Sequence, residues 1–506
     1  MFENNNAVKY MEVNVNMTPK GYEGLGKQGM LFHQACFELC DNALAAAKDG
    51  EMARISIALA PGDTKDSLWV AISDCSHGMG PTILDDSLQM GSLSTGNNRL
   101  HEHGFGLKNA LACLVPGGDW TIYTRQDTSQ DYLQVSGPFD TKMSIYKTPT
   151  LELPAGLNLK WPDPSTVVLM RVPMKVARTI QRQGKQNMTD LVTLRSWLVE
   201  HLGVTYRGYL EMDPVMLEPS AKIVVTIGEN EVLVPPMPVP MMLAKSEMLQ
   251  VELNGAVVPI RYTHGILDEE ARNSLVLGKK SKYYYKGNQP TQGIDIRLGK
   301  RVISTAQLDQ IWYQEDGKPV TRHNQYNDFV GELLIPELPR GVLSTLNNKT
   351  DINRADEDWD VIFAVLQEFQ PEKNGKVLRE EDVKIRWMQM LQATCPEDTV
   401  TREVSVWDTG ARIDVRAENE DKCVLYEVKI HKATPQDLYQ LKMYWDGLVV
   451  EGRQPTEAVL LASSFSDNLK GMLNVMNQMP APYLPSGAPS APYNLKIATL
   501  KEKHLV

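Results

Sequence analysis

The chain has 506 residues, with 52 Lys and Arg against 63 Asp and Glu, a formal net charge of −11. Hydrophobic content of 42% and charged content of 23% exclude wholesale disorder, and the length predicts about three domains. No apolar run reaches the ~18 residues of a membrane span, and MFENNNAVKYMEV lacks the basic start and apolar core of a signal peptide. The cysteines Cys36, Cys40, Cys75, Cys113, Cys395 and Cys423 form no CxxC pair, which fits a reducing cytoplasm and argues against structural zinc. The acidic balance argues against indiscriminate coating of nucleic acid.

In chain order, the first stretch, residues 1–185, alternates helical patterns with short β-branched runs and holds most of the Gly-rich loops. The second, 186–355, opens with a helix from Leu191 to Leu202 and continues as the strand runs KIVVTI, EVLV, GAVVPIRYT, GIDIRL and RVIS. Its cluster Pro235, Pro236, Pro238 and Pro240 cannot lie in a central strand and predicts a connection. The third, 356–506, begins with two helical runs, ADEDWDVIFAVLQEFQ and VLREEDVKIRWMQMLQ. Strands follow at REVSVW, ARIDVRA and CVLYEVKI, then a helix at DLYQLKMYWDGLVV. The fold class expected is α+β and multidomain.

The helix QGMLFHQACFELCDNALAAAKDG carries Glu38 and Asn42 one turn apart, projecting from one face, with Leu31, Ala35, Leu39 and Ala43 turned to the core. Such a pair also fits a solvated face, but it can serve hydrolysis, Glu38 as general base for water and Asn42 as an oxygen ligand to magnesium. The strand SLWVAIS then ends at Asp74 and opens into Cys75-Ser76-His77-Gly78-Met79-Gly80. A Ser/Gly-rich loop and the run His103-Gly104-Phe105-Gly106-Leu107-Lys108 follow. Glycines let backbone N–H groups approach phosphates, and a helix N-terminus favours their charge. Asp74 is placed to accept a hydrogen bond from an exocyclic adenine amine.

These motifs resemble those of the GHKL ATPases, the gyrase, Hsp90, histidine-kinase and MutL group with the Bergerat fold. ELCDNA resembles the ExxxN helix, DCSHGM the DxGxGM adenine box and HEHGFGLK the GxxGxG box, across about residues 20–175. Ser76 and His101 stand where the family usually has Gly, and Thr166 in STVVLMRV resembles the start of its later GTxxxL strand. GFGLKNAL is most similar to the MORC branch. The resemblance implies a Bergerat α/β sandwich that binds ATP through Asn42, Asp74, Gly78, Met79, Gly104, Phe105, Gly106, Leu107, Lys108 and Thr166. GIDIRLGKRVIS and LSTLNNKTDI resemble the β-rich transducer domain of the same proteins, which implies that Lys349 reaches the γ-phosphate. A cation that touches only the triphosphate state makes the domain angle depend on hydrolysis.

A second constellation lies in GARIDVRAENEDKCVLYEVKI, two strands around a polar turn. A hairpin centred on Glu420-Asp421 puts Asp414 across from Glu427, beside Lys429. Two carboxylates and a lysine suit a magnesium-dependent phosphodiesterase, although a mixed-charge exposed hairpin has the same pattern. Asp414 with Glu427-Val428-Lys429 resembles the PD-(D/E)xK nucleases, and Gln440 and Tyr444 the QxxxY helix of the RecB-like branch. That implies an α/β nuclease domain with Asp414 and Glu427 on Mg2+ or Mn2+, and with Glu380 or Glu381, the latter preferred, as a further carboxylate. Lys279, Lys280, Lys282 and Lys286 around Tyr283-Tyr284-Tyr285 fit DNA backbone contacts with base stacking, or a solvated hairpin tip.

The combination predicts a cytoplasmic ATP-dependent DNA nuclease, a homodimer closed by ATP, serving defence against phage DNA with further defence proteins as partners and no membrane. The alternative is an ATP-gated DNA clamp or scaffold whose nuclease-like domain does not cut.

Overall fold

Strands that are covered on both faces need near-continuous apolar sequence, and ARISIALAP and SLWVAISD have it. The computed structural model describes residues 7–27, 29–91, 100, 104–128, 130–180, 190–214, 216–314, 317–339, 342–346, 351–371, 380–407, 411–503 and 505. They divide into two compact units, one of residues 1–240, 246–263 and 271–370, the other of 241–245, 264–270 and 371–506.

The first unit is built on nine strands: β1 (Val8–Asn14), β2 (Ala53–Pro61), β3 (Ser67–Asp74), β4 (Trp120–Thr124), β5 (Tyr132–Ser136), β6 (Lys142–Thr148), β7 (Thr166–Pro173), β8 (Ala221–Ile227) and β9 (Asn230–Leu233). Their order in the sheet is β1-β6-β5-β4-β7-β3-β2-β8-β9. On one face lie helices α1 (Pro19–Gly26), α2 (Phe32–Ala45), α3 (Pro81–Leu88), α4 (Gly106–Leu114) and α5 (Leu191–Thr205). Cys36, Leu39 and Ala43 of α2 and Leu111 and Leu114 of α4 pack there in one core with Ile55, Ile57, Ile72, Ile122 and Met170. Leu151, Leu153, Leu157 and Leu159 cover Trp69, Tyr123 and Leu169 in a separate cluster. The sheet runs past the boundary expected at 185: KIVVTI and EVLV, read with the second stretch, are β8 and β9, and β8 pairs in parallel with β2.

A five-stranded sheet follows, β10 (Met241–Leu253), β11 (Ala256–Leu267), β12 (Gly293–Leu298), β13 (Arg301–Gln307) and β14 (Phe329–Ile335), ordered β10-β11-β14-β12-β13. Tyr206 and Arg207, where α5 gives way to the single turn α6 (Arg207–Leu210), reach in two directions. The Tyr206 hydroxyl donates to the Phe37 carbonyl at 2.9 Å and to Asp41 at 2.8 Å, both on α2. The Arg207 guanidinium donates to Asp295 of β12 at 2.8 Å and to Glu332 of β14 at 2.8 Å. Tyr285 completes the cluster with a hydroxyl bond to Asp295.

The second unit holds a sheet of β15 (Thr399–Val406), β16 (Ala411–Glu418), β17 (Cys423–Ala433), β18 (Glu457–Phe465) and β19 (Leu495–Thr499), in that order. β15, β16 and β17 are antiparallel, and β17, β18 and β19 parallel. Parallel pairs need crossovers, supplied by α8 (Pro435–Val450) and α9 (Asp467–Met476), while α7 (Glu380–Thr394) precedes the sheet. Val383, Trp387 and Leu391 of α7 pack with Val415, Ala417 and Val428. Leu438, Leu441, Trp445 and Leu448 of α8 pack with Leu425 and Leu460.

Removing Arg207 would leave Asp295 without its buried counter-charge and Glu332 with Arg297 at 3.7 Å. Arg207→Met is expected to destabilise the first unit by about 3–5 kcal/mol, read as a lower denaturant midpoint by tryptophan fluorescence.

Candidate functional site

Helix α2 presents Glu38 fully buried and Asn42 half-buried, as the one-turn spacing requires. Gly106, the first residue of α4, lies so close that a Cβ there would collide with the Glu38 carboxylate. Asp74 closes β3, where its neighbour on β7 is Thr166, whose neighbour on β4 is Thr124. The Thr166 and Thr124 hydroxyls are 3.1 Å apart, and Thr124 accepts from the Met79 N–H at 2.8 Å. Asp74 Oδ1 accepts from the Ser76 N–H at 2.9 Å, and the Ser76 hydroxyl donates to the Ala43 carbonyl of α2 at 2.9 Å. Ser76 therefore ties the loop after β3 to α2. Burial pushes the Asp74 carboxyl up to about 6. Gly78 has φ +62°, and a Cβ on it would collide with the Arg125 carbonyl.

Gly104, with φ +64°, Phe105 and Leu107 lead into or lie on α4 beside Gly106. Lys108, read from the motif as a nucleotide-binding residue, is buried and donates to the Ser87 carbonyl of α3 at 2.9 Å. Burial lowers its ammonium to about 8. Lys349 and His101 lie outside the described residues.

Four partners of this site escape the motifs. Asp41, one residue before Asn42, is completely buried and accepts from the Tyr206 hydroxyl and from Arg301 Nε of β13, the latter at 3.0 Å. An acid three residues after Glu38 on a buried face is the signal for Asp41; Tyr206 and Arg301 carry none in the sequence. Thr124 is likewise brought in only by strand pairing.

In the second unit the β16–β17 register runs from Glu418 with Cys423 to Val415 with Tyr426, one position short of Asp414 and Glu427, and the Asp414 charge acts on Glu427. Glu427 is 1% exposed. Its Oε1 accepts from Lys429 Nζ at 2.6 Å, while Oε2 is buried without a hydrogen-bond partner among the described residues. Burial first, and then the Asp414 charge, raise the Glu427 carboxyl to about 8. Asp414 Oδ2 accepts from the Val428 N–H at 2.8 Å. Gln440 donates to the buried Tyr444 hydroxyl at 2.6 Å, with Tyr444 close enough to feel the Glu427 and Asp414 charges.

Of the two helix acids, Glu381 turns away to Arg402 at 2.5 Å, and Glu380 is the one within 3.8 Å of Lys429 Nζ. This corrects the choice of Glu381; consecutive helical residues project about 100° apart, so only one of them can face the site. Lys384, one turn after Glu380, is a further participant and contacts Asp414 Oδ1 at 2.5 Å.

Lys279, Lys280, Lys282 and Lys286 are exposed. The tyrosines between them face the fold: Tyr283 stacks edge-on against Trp197, Tyr284 bonds His201 at 2.7 Å and Tyr285 is buried on Asp295. Tyr283 and Tyr284 are half-buried and Tyr285 is buried, so these rings pack on the fold while the lysines form a charged surface.

Residues 30–154 match the family model of histidine kinase-, DNA gyrase B- and HSP90-like ATPases. That span holds Glu38, Asn42, Asp74 and Gly106, so this part of the chain is similar to the GHKL ATPase domains that the model describes. No curated protein matches the sequence. Among solved structures, the chain is similar to a repair endonuclease from Pyrococcus abyssi, at 22% identity over 22% of this chain and 45% of that one, TM-score 0.17. It is similar to the EndoMS–dsDNA2 complex at 20% identity over 24% and 45%, TM-score 0.18. It is also similar to the Aquifex aeolicus MutL ATPase domain complexed with ADP, at 11% identity over 61% and 92%, TM-score 0.29. The chain thus spans less than half the length of the two endonuclease structures. No described helix is long and apolar enough to cross a membrane.

Two substitutions probe the nucleotide site. Asp74→Asn keeps an oxygen for the Ser76 N–H but removes a desolvated charge. Because burial raises the folded-state value of Asp74 above its unfolded one, the charge costs stability increasingly as pH rises from about 4 to about 6, and that cost persists above. Asp74→Asn is therefore expected to raise the melting temperature of the nucleotide-free protein at pH 7.5 while weakening ATP binding at least about tenfold, measured by scanning fluorimetry and calorimetry. Gly106→Ala is expected to slow ATP hydrolysis at least about tenfold by displacing Glu38, with the fold intact by circular dichroism.

Proposed function

We propose that the chain is an ATP-dependent DNA nuclease, a MORC-like GHKL ATPase joined through a transducer to a PD-(D/E)xK nuclease domain. The observation that carries the nuclease reading is the pair Asp414 and Glu427, both buried and electrostatically coupled, with Lys429 on one Glu427 oxygen and the other oxygen unpartnered among the described residues. Two acids in a low-dielectric site call for a cation, and the donor set, all carboxylate oxygen, suits Mg2+ or Mn2+. Asp414 and Glu427 would hold such an ion, which when bound activates water and offsets charge on the phosphate. Lys429 fixes Glu427 and presents its ammonium beside it, and Gln440 orients the Tyr444 hydroxyl at the same place.

In the ATPase domain, Asp74 is the acceptor for the adenine amine, Glu38 the base for water and Asn42 a ligand for the magnesium of ATP. Gly78, Met79, Gly104, Phe105, Gly106 and Leu107 form the backbone around the nucleotide, with Thr166 beside Asp74. Lys349 in the transducer is the γ-phosphate sensor. ATP closes a homodimer on DNA, the exposed lysines from Lys279 to Lys286 touch its backbone, and the pairing of ATPase with nuclease fits defence against phage DNA in the cytoplasm alongside further defence proteins. One observation favours the non-cutting clamp instead: Lys384 occupies an oxygen of Asp414.

One assay decides between them. The full chain is incubated with supercoiled DNA, linear DNA or RNA, with Mg2+ or Mn2+, and with ATP, a non-hydrolysable analogue or neither. DNA cleavage is expected, lost in Lys429→Ala with ATP hydrolysis retained, while Glu38→Ala drops ATP turnover by at least about a hundredfold. Absence of cleavage of every substrate under every condition refutes the nuclease and leaves the clamp.

A further inference from the structure

Asp414 offers two oxygens, and the backbone takes one of them: Oδ2 accepts from the Val428 N–H at 2.8 Å. The oxygen left to meet a divalent ion is Oδ1, and there Lys384 Nζ sits at 2.5 Å. The same ammonium lies 3.4 Å from Glu403 and 3.7 Å from Glu380. Its side chain is 12% exposed, so solvent screens these contacts only partly. Four carboxylates (Glu380, Glu403, Asp414, Glu427) thus surround two ammonium groups (Lys384, Lys429), a formal balance of two negative charges. Lys429 has its own seat on Glu427 Oε1, and it leaves Asp414 Oδ1 to Lys384. Nothing in the D…ExK pattern requires a second lysine, and none is needed to hold α7, which is anchored by Val383, Trp387 and Leu391.

We propose that Lys384 is a built-in counter-ion that occupies the Asp414 end of the divalent-metal site, so that metal loading requires its ammonium to withdraw. This rests on the metal-site reading of Asp414 and Glu427. The two cations compete for one oxygen, and the metal affinity observed is the intrinsic one reduced by the fraction of molecules in which Lys384 has left. The nuclease site therefore rests in a weakly metal-binding state, and any event that draws α7 or the Lys384 side chain away raises its affinity for metal.

The test is direct titration of the full chain with Mn2+ by calorimetry, alongside the Mn2+-induced rise in melting temperature. Lys384→Gln is expected to bind Mn2+ about tenfold more tightly than wild type, with a larger melting shift, and Lys384→Arg, which keeps the charge, to stay near wild type. The gain must vanish in Lys384→Gln/Asp414→Asn. Lys384→Met, which keeps the apolar stem, serves as a second neutral variant should Lys384→Gln lose its cooperative melting. Equal affinity in wild type and both neutral variants, abolished by Asp414→Asn, overturns the role of Lys384 and leaves the metal site standing. Absence of Asp414-dependent Mn2+ binding in every variant overturns the metal site and the proposal with it.

Discussion

A carboxylate taken out of water must be matched by donors, and Asp41 meets that demand with two that come from far along the chain. Tyr206 arrives from the end of α5, and Arg301, 260 residues away, from β13. Removing one partner of such a pair strands a charge in a low-dielectric interior, a cost of several kcal/mol. The helix that carries Glu38 and Asn42 is thereby fixed to a strand of the next sheet. Arg207, adjacent to Tyr206, makes the matching attachment to β12 and β14. Neighbouring residues thus clamp α2 on one side and the five-stranded sheet on the other. A shift of α2 has few ways to leave β12 and β13 unmoved.

The second unit solves the same electrostatic problem differently. Asp414 and Glu427 are held near each other on neighbouring strands, and their mutual repulsion is relieved by lysines, one from the strand and one from α7. A fixed amine is a weaker answer than a divalent ion but is always present. The apolar contacts of α7 and α8 on the sheet lie apart from these charges.

Much of this was legible in the sequence because local order encodes it. ELCDNA lies within one helix, DCSHGM opens at a strand end and GFGLK at a helix start, so Glu38, Asp74 and Gly106 each sit in a short local motif. The hairpin around Glu420-Asp421 is equally local, and counting outward from it sets Asp414 against Glu427. What stayed hidden is long-range. β8 and β9 join the first sheet through pairing with β2, which no run of residues announces. Arg301 and Lys384 look like ordinary surface cations until the fold brings acids to them. The tyrosines Tyr283 to Tyr285 fit a stacking platform or a solvated hairpin tip equally because composition cannot tell an inward ring from an outward one, and the adjacent acids Glu380 and Glu381 differ only in helical phase.

The turn between β16 and β17 closes with the Asn419 N–H on the Lys422 carbonyl, and every residue beyond it is placed by counting from there. Side chains alternate faces along a strand, so inserting or deleting a single residue in this exposed turn would send Glu427 to the opposite side of the sheet from Asp414. The loop has no chemical role and makes no contact with the acids, yet its length acts as a ruler. In descendants of this sequence, tolerance of substitution and intolerance of length change at the same four residues would be the mark of a site kept by geometry alone.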